Sequence, residues 1–420
     1  MVPDPAGMAA NDFLKNMHLL FIAPNPPSVG RAGGTTILYN YLKNLATRHR
    51  VDLVTFQRAD ETVPAEIEQL LNRVISFKDP ARHTNALNSL KGLILGSPLA
   101  VSHYTSREVQ NGVFNRISHT AYDAVICQLT STIQFLPRPI SCATVLMIED
   151  PQSVKFRNTP PWPQHLLGHA MTNFEISRIE QYERRFWKDF DRVVMLNPLD
   201  IQMCQKLYPQ VQFSWLPYGI DADYFAPRAD VTYERDSIIF SGQMNHPPNV
   251  EAIIYFCKEI FPFVVAQRPM AQLWIVGANP TAEVQALGKQ DPRIHITGFV
   301  QDMRDFLLRA TVSVCPVRLS YGSRTKVLEA MACGVPVVTL SDANTGIGGV
   351  PDKHLLVADT PTDFAASVLK LLGDSEFRQT ISVQARQFIE AERSWSVLAV
   401  RLEQLLDDLV KAKVALNATR

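Results

Sequence analysis

Three cationic side chains and a carboxylate fall within twelve residues: Arg318, Arg324, Lys326 and Glu329. They sit in the run Arg-Leu-Ser-Tyr-Gly-Ser-Arg-Thr-Lys-Val-Leu-Glu-Ala-Met-Ala-Cys-Gly-Val-Pro, residues 318–336. The apolar stretch 312–318 predicts a strand that runs into a polar loop holding Tyr321, Gly322 and Ser323. That loop opens a helix which stops at Gly334, just before Pro336. Backbone amides at such a start, with three cations around them, make an anion site suited to a diphosphate. Glu329 follows Lys326 by three positions, on the same helix face. A carboxylate beside a phosphate site suits the diol of a ribose, so a sugar nucleotide is the first ligand to consider. Solvated surface charge is the competing reading of the three cations.

Three further segments could face the same ligand. The first apolar run ends in Pro-Asn-Pro-Pro-Ser-Val-Gly-Arg-Ala-Gly-Gly-Thr-Thr, placing Gly30, Gly33 and Gly34 ahead of a helix. Glycines there allow close approach of a phosphate or sugar. The spacing is not GxGxxG, and a plain strand-to-helix turn is an equal alternative. A second strand-to-loop element, Ile238–Ala252, contains Gly242, Gln243, Asn245 and His246. In the first half, Met-Ile-Glu-Asp-Pro-Gln-Ser-Val-Lys (147–155) puts two acids at the carboxyl end of a buried strand, where open α/β sheets bind ligands. Asp150 fits a catalytic or acceptor-binding role there, with a helix N-cap as the alternative.

Three tempting features are discounted. Asp221-Ala-Asp223 has the form of a metal-binding DxD but lies between the two halves of the chain. His165 and His169 are four apart without the glutamate of a zinc protease. Leu90–Val101 is apolar but about half a membrane span, fitting a core or interfacial helix.

These segments need scaffolding, and the chain supplies it twice. Apolar runs alternate with helical patterns: His18–Pro24, Val51–Phe56, Arg73–Phe77, Ala121–Gln128, Ala143–Asp150 and Arg192–Asn197 in the first half. Ser237–Gly242, Gln272–Gly277, Ile294–Val300, Val312–Arg318, Val335–Leu340 and His354–Asp359 follow in the second. Near-continuous Val, Ile and Leu marks strands buried on both faces, hence parallel doubly wound α/β sheets. At 420 residues two domains are expected. Pro217–Pro227, with two prolines and Gly219, reads as the bend between them. Lys plus Arg equals Asp plus Glu at 41 each, so no charge excess points to nucleic acid. Six scattered cysteines without a CxxC favour a reduced, cytoplasmic chain. No stretch reaches the roughly 18 apolar residues of a membrane span. Residues 1–16 lack the features of a signal peptide and read as a flexible extension.

The 318–336 segment resembles the donor-site motif of GT-B glycosyltransferases, in particular the retaining family 4 group. Those enzymes usually carry two glutamates eight positions apart; here Glu329 holds the second place and Tyr321 the first. Gly-Ser-Arg-Thr-Lys-Val-Leu-Glu is similar to a subgroup of bacterial sugar transferases of exopolysaccharide systems. Pro-Tyr-Gly-Ile-Asp resembles the family's interdomain signature, with Tyr218 in place of asparagine, and 147–155 resembles the subgroup's Asp-Val-Asp-Ser stretch. The resemblance implies an acceptor-side Rossmann-like domain over 17–222, a donor domain over 223–395, and a helix over 396–420 crossing back onto the first domain. It implies transfer of a sugar from a nucleotide-diphosphate sugar to an acceptor hydroxyl, with retention and no required metal or other cofactor, in polysaccharide or glycoconjugate synthesis. Gly33, Gly34, Gly242, Arg318, Tyr321, Gly322, Ser323, Thr325 and Glu329 would bind the donor, and Arg324, Lys326 and Asp150 would serve the chemistry. The acceptor would be a glycan, a lipid-linked or a small molecule, with peripheral contact to the inner membrane face as an option. The alternatives are a sugar-nucleotide epimerase of the same architecture and a non-catalytic sugar-nucleotide-binding protein.

Overall fold

The computed structural model describes the chain apart from residues 1–15, 30–32, 58–60, 80–91, 93–95, 159–165, 229–230, 232, 319–323 and 419–420. The expected extension, most of the stretch from Leu90 to Leu95, His165, Gly30 and Tyr321–Ser323 therefore lie outside the described residues, as does the side chain of His169.

Two parallel sheets organise the described chain. The first holds β1 (His18–Ala23), β2 (Arg50–Gln57), β3 (Arg73–Lys78), β4 (Ala124–Gln128), β5 (Ala143–Ile148), β6 (Arg192–Met195) and β7 (Phe213–Trp215), in the order β3-β2-β1-β4-β5-β6-β7. The second holds β8 (Ser237–Ser241), β9 (Gln272–Val276), β10 (Ile294–Gly298), β11 (Val312–Cys315), β12 (Val337–Thr339) and β13 (Leu356–Val357), in the order β10-β9-β8-β11-β12-β13. Strand order reverses between β1 and β4 and again between β8 and β11, and the crevices at the carboxyl ends of those pairs are where doubly wound sheets bind ligands. Six helices matter below: α1 (Gly34–Leu45), α2 (Arg107–His119), α3 (Gln152–Asn158), α4 (Pro247–Tyr255), α5 (Thr325–Ala332) and α6 (Trp395–Ala418).

The alternation of side chains explains the strand composition. In β1, Leu19 and Phe21 join one core with Leu38 and Leu42 of α1, while Leu20 and Ile22 join another with Val109 and Val113 of α2. Both faces are covered, so both residue sets must be apolar. The pattern does not reveal β7, which is a three-residue, partly exposed edge. Within Leu90–Val101, Leu99–Ser102 forms one helical turn with Leu99 exposed and Val101 buried.

The link between the sheets is tightly packed. Ile220 N–H donates to the Arg393 carbonyl at 2.8 Å. A Cβ on Gly219 would lie 2.6 Å from the Trp395 ring, so only glycine fits that approach. Helix α6 then packs on α1 and beside β5. Trp395 meets Tyr41 edge-on at 5.7 Å and Tyr218 at 5.3 Å. Buried Glu403 receives Arg48 at 2.6 Å, and Lys413 reaches Asp191 at 2.9 Å. Leu398, Leu402 and Leu406 are fully buried, whereas Val400 is half exposed. No described helix is long and apolar enough to cross a membrane.

Candidate functional site

On the second sheet, the strand ends converge on Lys326. β8 ends at Ser241, and Gly242 follows with φ 144°, where a Cβ would lie 2.8 Å from both Lys326 Nζ and Asn249 Nδ2. Gly277, after β9, presses on the same turn: its Cβ would stand 1.7 Å from the Gly242 carbonyl oxygen. Glycine is required at both positions by close approach as well as by φ. Lys326 Nζ donates to Asn249 Oδ1 at 2.7 Å and lies 4.2 Å over the Phe240 ring. Asn249 is itself oriented by donating to the Gln243 carbonyl at 2.9 Å. Removal from water, then the nearby Arg324, brings the lysine down to about 8.

Lys326 sits in the first turn of α5, whose opening leaves donors unused. Val327 N–H donates to the Arg324 carbonyl at 2.9 Å, but the N–H groups of Thr325 and Lys326 meet no described acceptor. Such orphan donors and the positive end of the helix dipole favour an anion. Glu329, one turn on, is half-buried and accepts no hydrogen bond from a described residue. Removal from water pushes its carboxyl up to about 7 although Lys326 pulls it the other way. Arg318 is placed differently from the expectation: its guanidinium pairs with Glu251 and stacks on Tyr255 at 4.3 Å. It lines a separate cavity of about 740 Å³ with Asn245 and Thr281, a lining that does not include Lys326.

On the first sheet the acids divide unequally. Glu149, not Asp150, lies under the glycine loop. Gln128 Nε2 donates to the Gly34 carbonyl at 2.7 Å and to Glu149 Oε1 at 3.3 Å, and the Gly34 N–H donates to the same carboxylate. A Cβ on Gly34 would come within 1.8 Å of Glu149 Oε1. Gly33 precedes α1 with φ 90° and no side-chain cap, so Glu149 serves the helix start. Burial, then Asp150, raises its carboxyl to about 7. Asp150 is more open and takes Lys155 of α3 at 3.2 Å. The field of Lys155 reaches His246 on the other sheet's side, adding to burial, Lys326 and Arg324 in lowering that imidazole.

Tyr218 joins the two halves. It is buried, its hydroxyl bonds Thr36 of α1, and its ionisation is pushed up by burial, then Glu329, then Glu149. Glu149, Gln128, Asn249 and Tyr218 were not singled out as site residues from sequence. The one available signal was the acid pair at the end of β5, which does not say which acid turns inward. Asp221 of the discounted DxD accepts from Tyr224 N–H at 2.9 Å and so holds a turn.

Two parallel sheets with reversed strand order, a glycine loop on one side and a cationic helix start on the other define the GT-B architecture. Solved structures share it. Sucrose-phosphate synthase from Thermosynechococcus elongatus superposes with a TM-score of 0.66 at 16% identity over 94% of this chain and 100% of its own. Anabaena HepE, determined in complex with UDP and glucose, superposes at 0.59 and 15% identity over 93% and 99%. Residues 235–374, containing β8 to β13 and Lys326 and Glu329, match the family described as glycosyl transferases group 1. The chain therefore has the GT-B fold, and its second half resembles the glycosyl transferases of that family. Among named relatives, the Corynebacterium glutamicum GDP-mannose-dependent monoacylated alpha-(1-6)-phosphatidylinositol monomannoside mannosyltransferase is 27% identical over 224 residues. That match takes in 46% of this chain and 56% of the relative, so the chain spans a little over half of that relative's length.

Proposed function

We propose that this chain transfers a sugar from a nucleotide-diphosphate sugar to an acceptor hydroxyl with retention of configuration, in the assembly of a polysaccharide or glycoconjugate. The observation that carries the reading is Lys326 at the start of α5, beside two backbone donors and one turn from a carboxylate that have no hydrogen-bond partner among the described residues. A diphosphate would satisfy the donors and the lysine, and a ribose diol would satisfy Glu329.

In the transfer, the bond from the anomeric carbon to the diphosphate oxygen breaks and its electron pair leaves with the diphosphate. The acceptor oxygen bonds to the anomeric carbon from the same face, and its proton passes to the departing phosphate oxygen. Charge grows on the diphosphate as the bond breaks, so Lys326, Arg324 and the α5 amides act most strongly in the transition state. In this reading, by the resemblance, Tyr321, Gly322 and Ser323, which lie outside the described residues, would contact the donor sugar, and Asp150 with Lys155 would serve the acceptor. No metal is required. UDP-glucose-type donors are one option because HepE was determined with UDP and glucose, and GDP-mannose another because a relative is named for it.

The test is incubation with UDP-, GDP- and ADP-sugars, following nucleoside diphosphate release and the anomeric configuration of the product by NMR. Consumption of one donor with retention is expected. Binding without turnover over a broad acceptor panel would favour the non-catalytic alternative.

A further inference from the structure

At the opposite end of the first sheet from the glycine loop, a strand face carries charge where apolar residues would otherwise be expected. Alternation puts Arg50 and Asp52 of β2 on one face. Parallel pairing adds His18 opposite Arg50 and Arg73 opposite Asp52. This is the face of Val54 and Phe56, covered by α2, whose last turn adds Arg116 and His119. His18, Arg50, Arg73, Arg116 and His119 line a cavity of about 460 Å³ with Asn72, while Asp52 lies outside its lining.

Charge within the cavity does not balance. Asp52 is fully buried and receives Arg116 Nη2 at 2.6 Å and Tyr122 Oη at 2.5 Å, with Asn72 also donating. Although burial opposes it, these donors hold the carboxyl below its usual value, so it stays ionised and neutralises Arg116. The side chains of Arg50 and Arg73 are exposed and make no ion pair or hydrogen bond among the described residues. Asp123 lies nearby but is engaged by the His18 N–H at 2.7 Å and is not part of the lining. With Arg116 paired to Asp52, Arg50 and Arg73 remain as two positive charges that no described carboxylate pairs. The basic last turn of α2 offsets that helix's own dipole, but Arg50 and Arg73 belong to strands and have no such role.

We propose that this cavity is a second anion site, binding a phosphate monoester through Arg50 and Arg73, separate from the donor cleft. Guanidinium forks match phosphate oxygens, and the volume admits a phosphorylated small molecule or a lipid headgroup.

The probes are inorganic phosphate and glycerol 3-phosphate, titrated calorimetrically into the full-length Lys326→Met protein so that the cleft lysine does not contribute. Binding is expected to persist there, and Arg50→Ala and Arg73→Ala should each weaken it about tenfold, the scale of one charge-assisted bond. Unchanged melting temperatures would show that both variants fold, since neither side chain has a partner to lose. Co-sedimentation with phosphatidylglycerol vesicles, lost in the double variant, would assign the phosphate to a lipid, and soluble-ligand binding alone would assign it to a free phosphate ester. Equal heats for Lys326→Met with and without the two arginines, or no binding of any probe, would overturn the site.

Discussion

The two sides of the cleft each carry a carboxyl that burial raises to about 7, and they use it in opposite ways. Glu149 is held: Gln128 and the Gly34 N–H bond it, and it fills the space beneath the glycine loop so closely that no Cβ fits there. Glu329 is not held, having Lys326 in its field but no described donor on its oxygens. A buried carboxylate with partners belongs to the scaffold, whereas a half-buried one without described partners can still take a ligand. The contrast gives Glu149 a role in holding the loop and agrees with the proposed role of Glu329 in binding. Tyr218, which senses both acids, marks where the two sides meet.

The largest expected effect comes from the side with unmet groups. Lys326→Met should lower turnover about a hundredfold or more while leaving the melting temperature near wild type, because the charge it meets grows in the transition state. Turnover within a few-fold of wild type in a donor-consumption assay would place the chemistry elsewhere. On the held side, Gly34→Ala should destabilise the protein by about 2–3 kcal/mol, since the new methyl collides with Glu149. Adding Glu149→Ala should recover part of that loss in denaturant unfolding, and strict additivity of the two changes would break the assignment.

Glu329→Ala should weaken nucleoside diphosphate binding by about 2 kcal/mol without loss of stability. If instead it behaves like Glu149→Ala, destabilising the fold and sparing affinity, the contrast between the two acids fails. The smallest effect concerns pH. A carboxyl near 7 when folded and 4.5 when unfolded binds its proton more tightly in the folded state. Its stabilising effect is complete below about 4.5 and is lost as pH rises through 7. Glu149→Gln should therefore flatten the fall in melting temperature between pH 5 and 8, by the equivalent of about 1–2 kcal/mol. An identical pH profile in both proteins would show that Glu149 is not the group that titrates.

Most strands were legible because burial on both faces forces continuous apolar runs, as in Leu-Leu-Phe-Ile of β1. β7 was not, because a short edge with one face open carries no such run. The α5 start was legible because its amides, Lys326 and Glu329 lie within a few residues of one another. Other parts of the site depend on distant partners. Nothing in residues 147–155 says that Gln128 and Gly34 select Glu149 over Asp150. Likewise nothing near Arg318 in sequence announces its pairing with Glu251, 67 positions earlier. Tyr218 read as a departure from a signature, and only the folded chain shows it between the two acids.

The central claim is that Lys326, lowered to about 8 by burial, awaits a diphosphate. At pH 8 it is about half-protonated, and a bound diphosphate should draw it fully into the charged form. Calorimetric titration of UDP, GDP and ADP at pH 8, in two buffers of different ionisation enthalpy, measures this directly. One nucleotide should bind with uptake of about half a proton, affinity should fall as pH rises from 7 to 9, and the uptake should vanish in Lys326→Met. Binding with no proton uptake, or with the same uptake in Lys326→Met, would contradict the account.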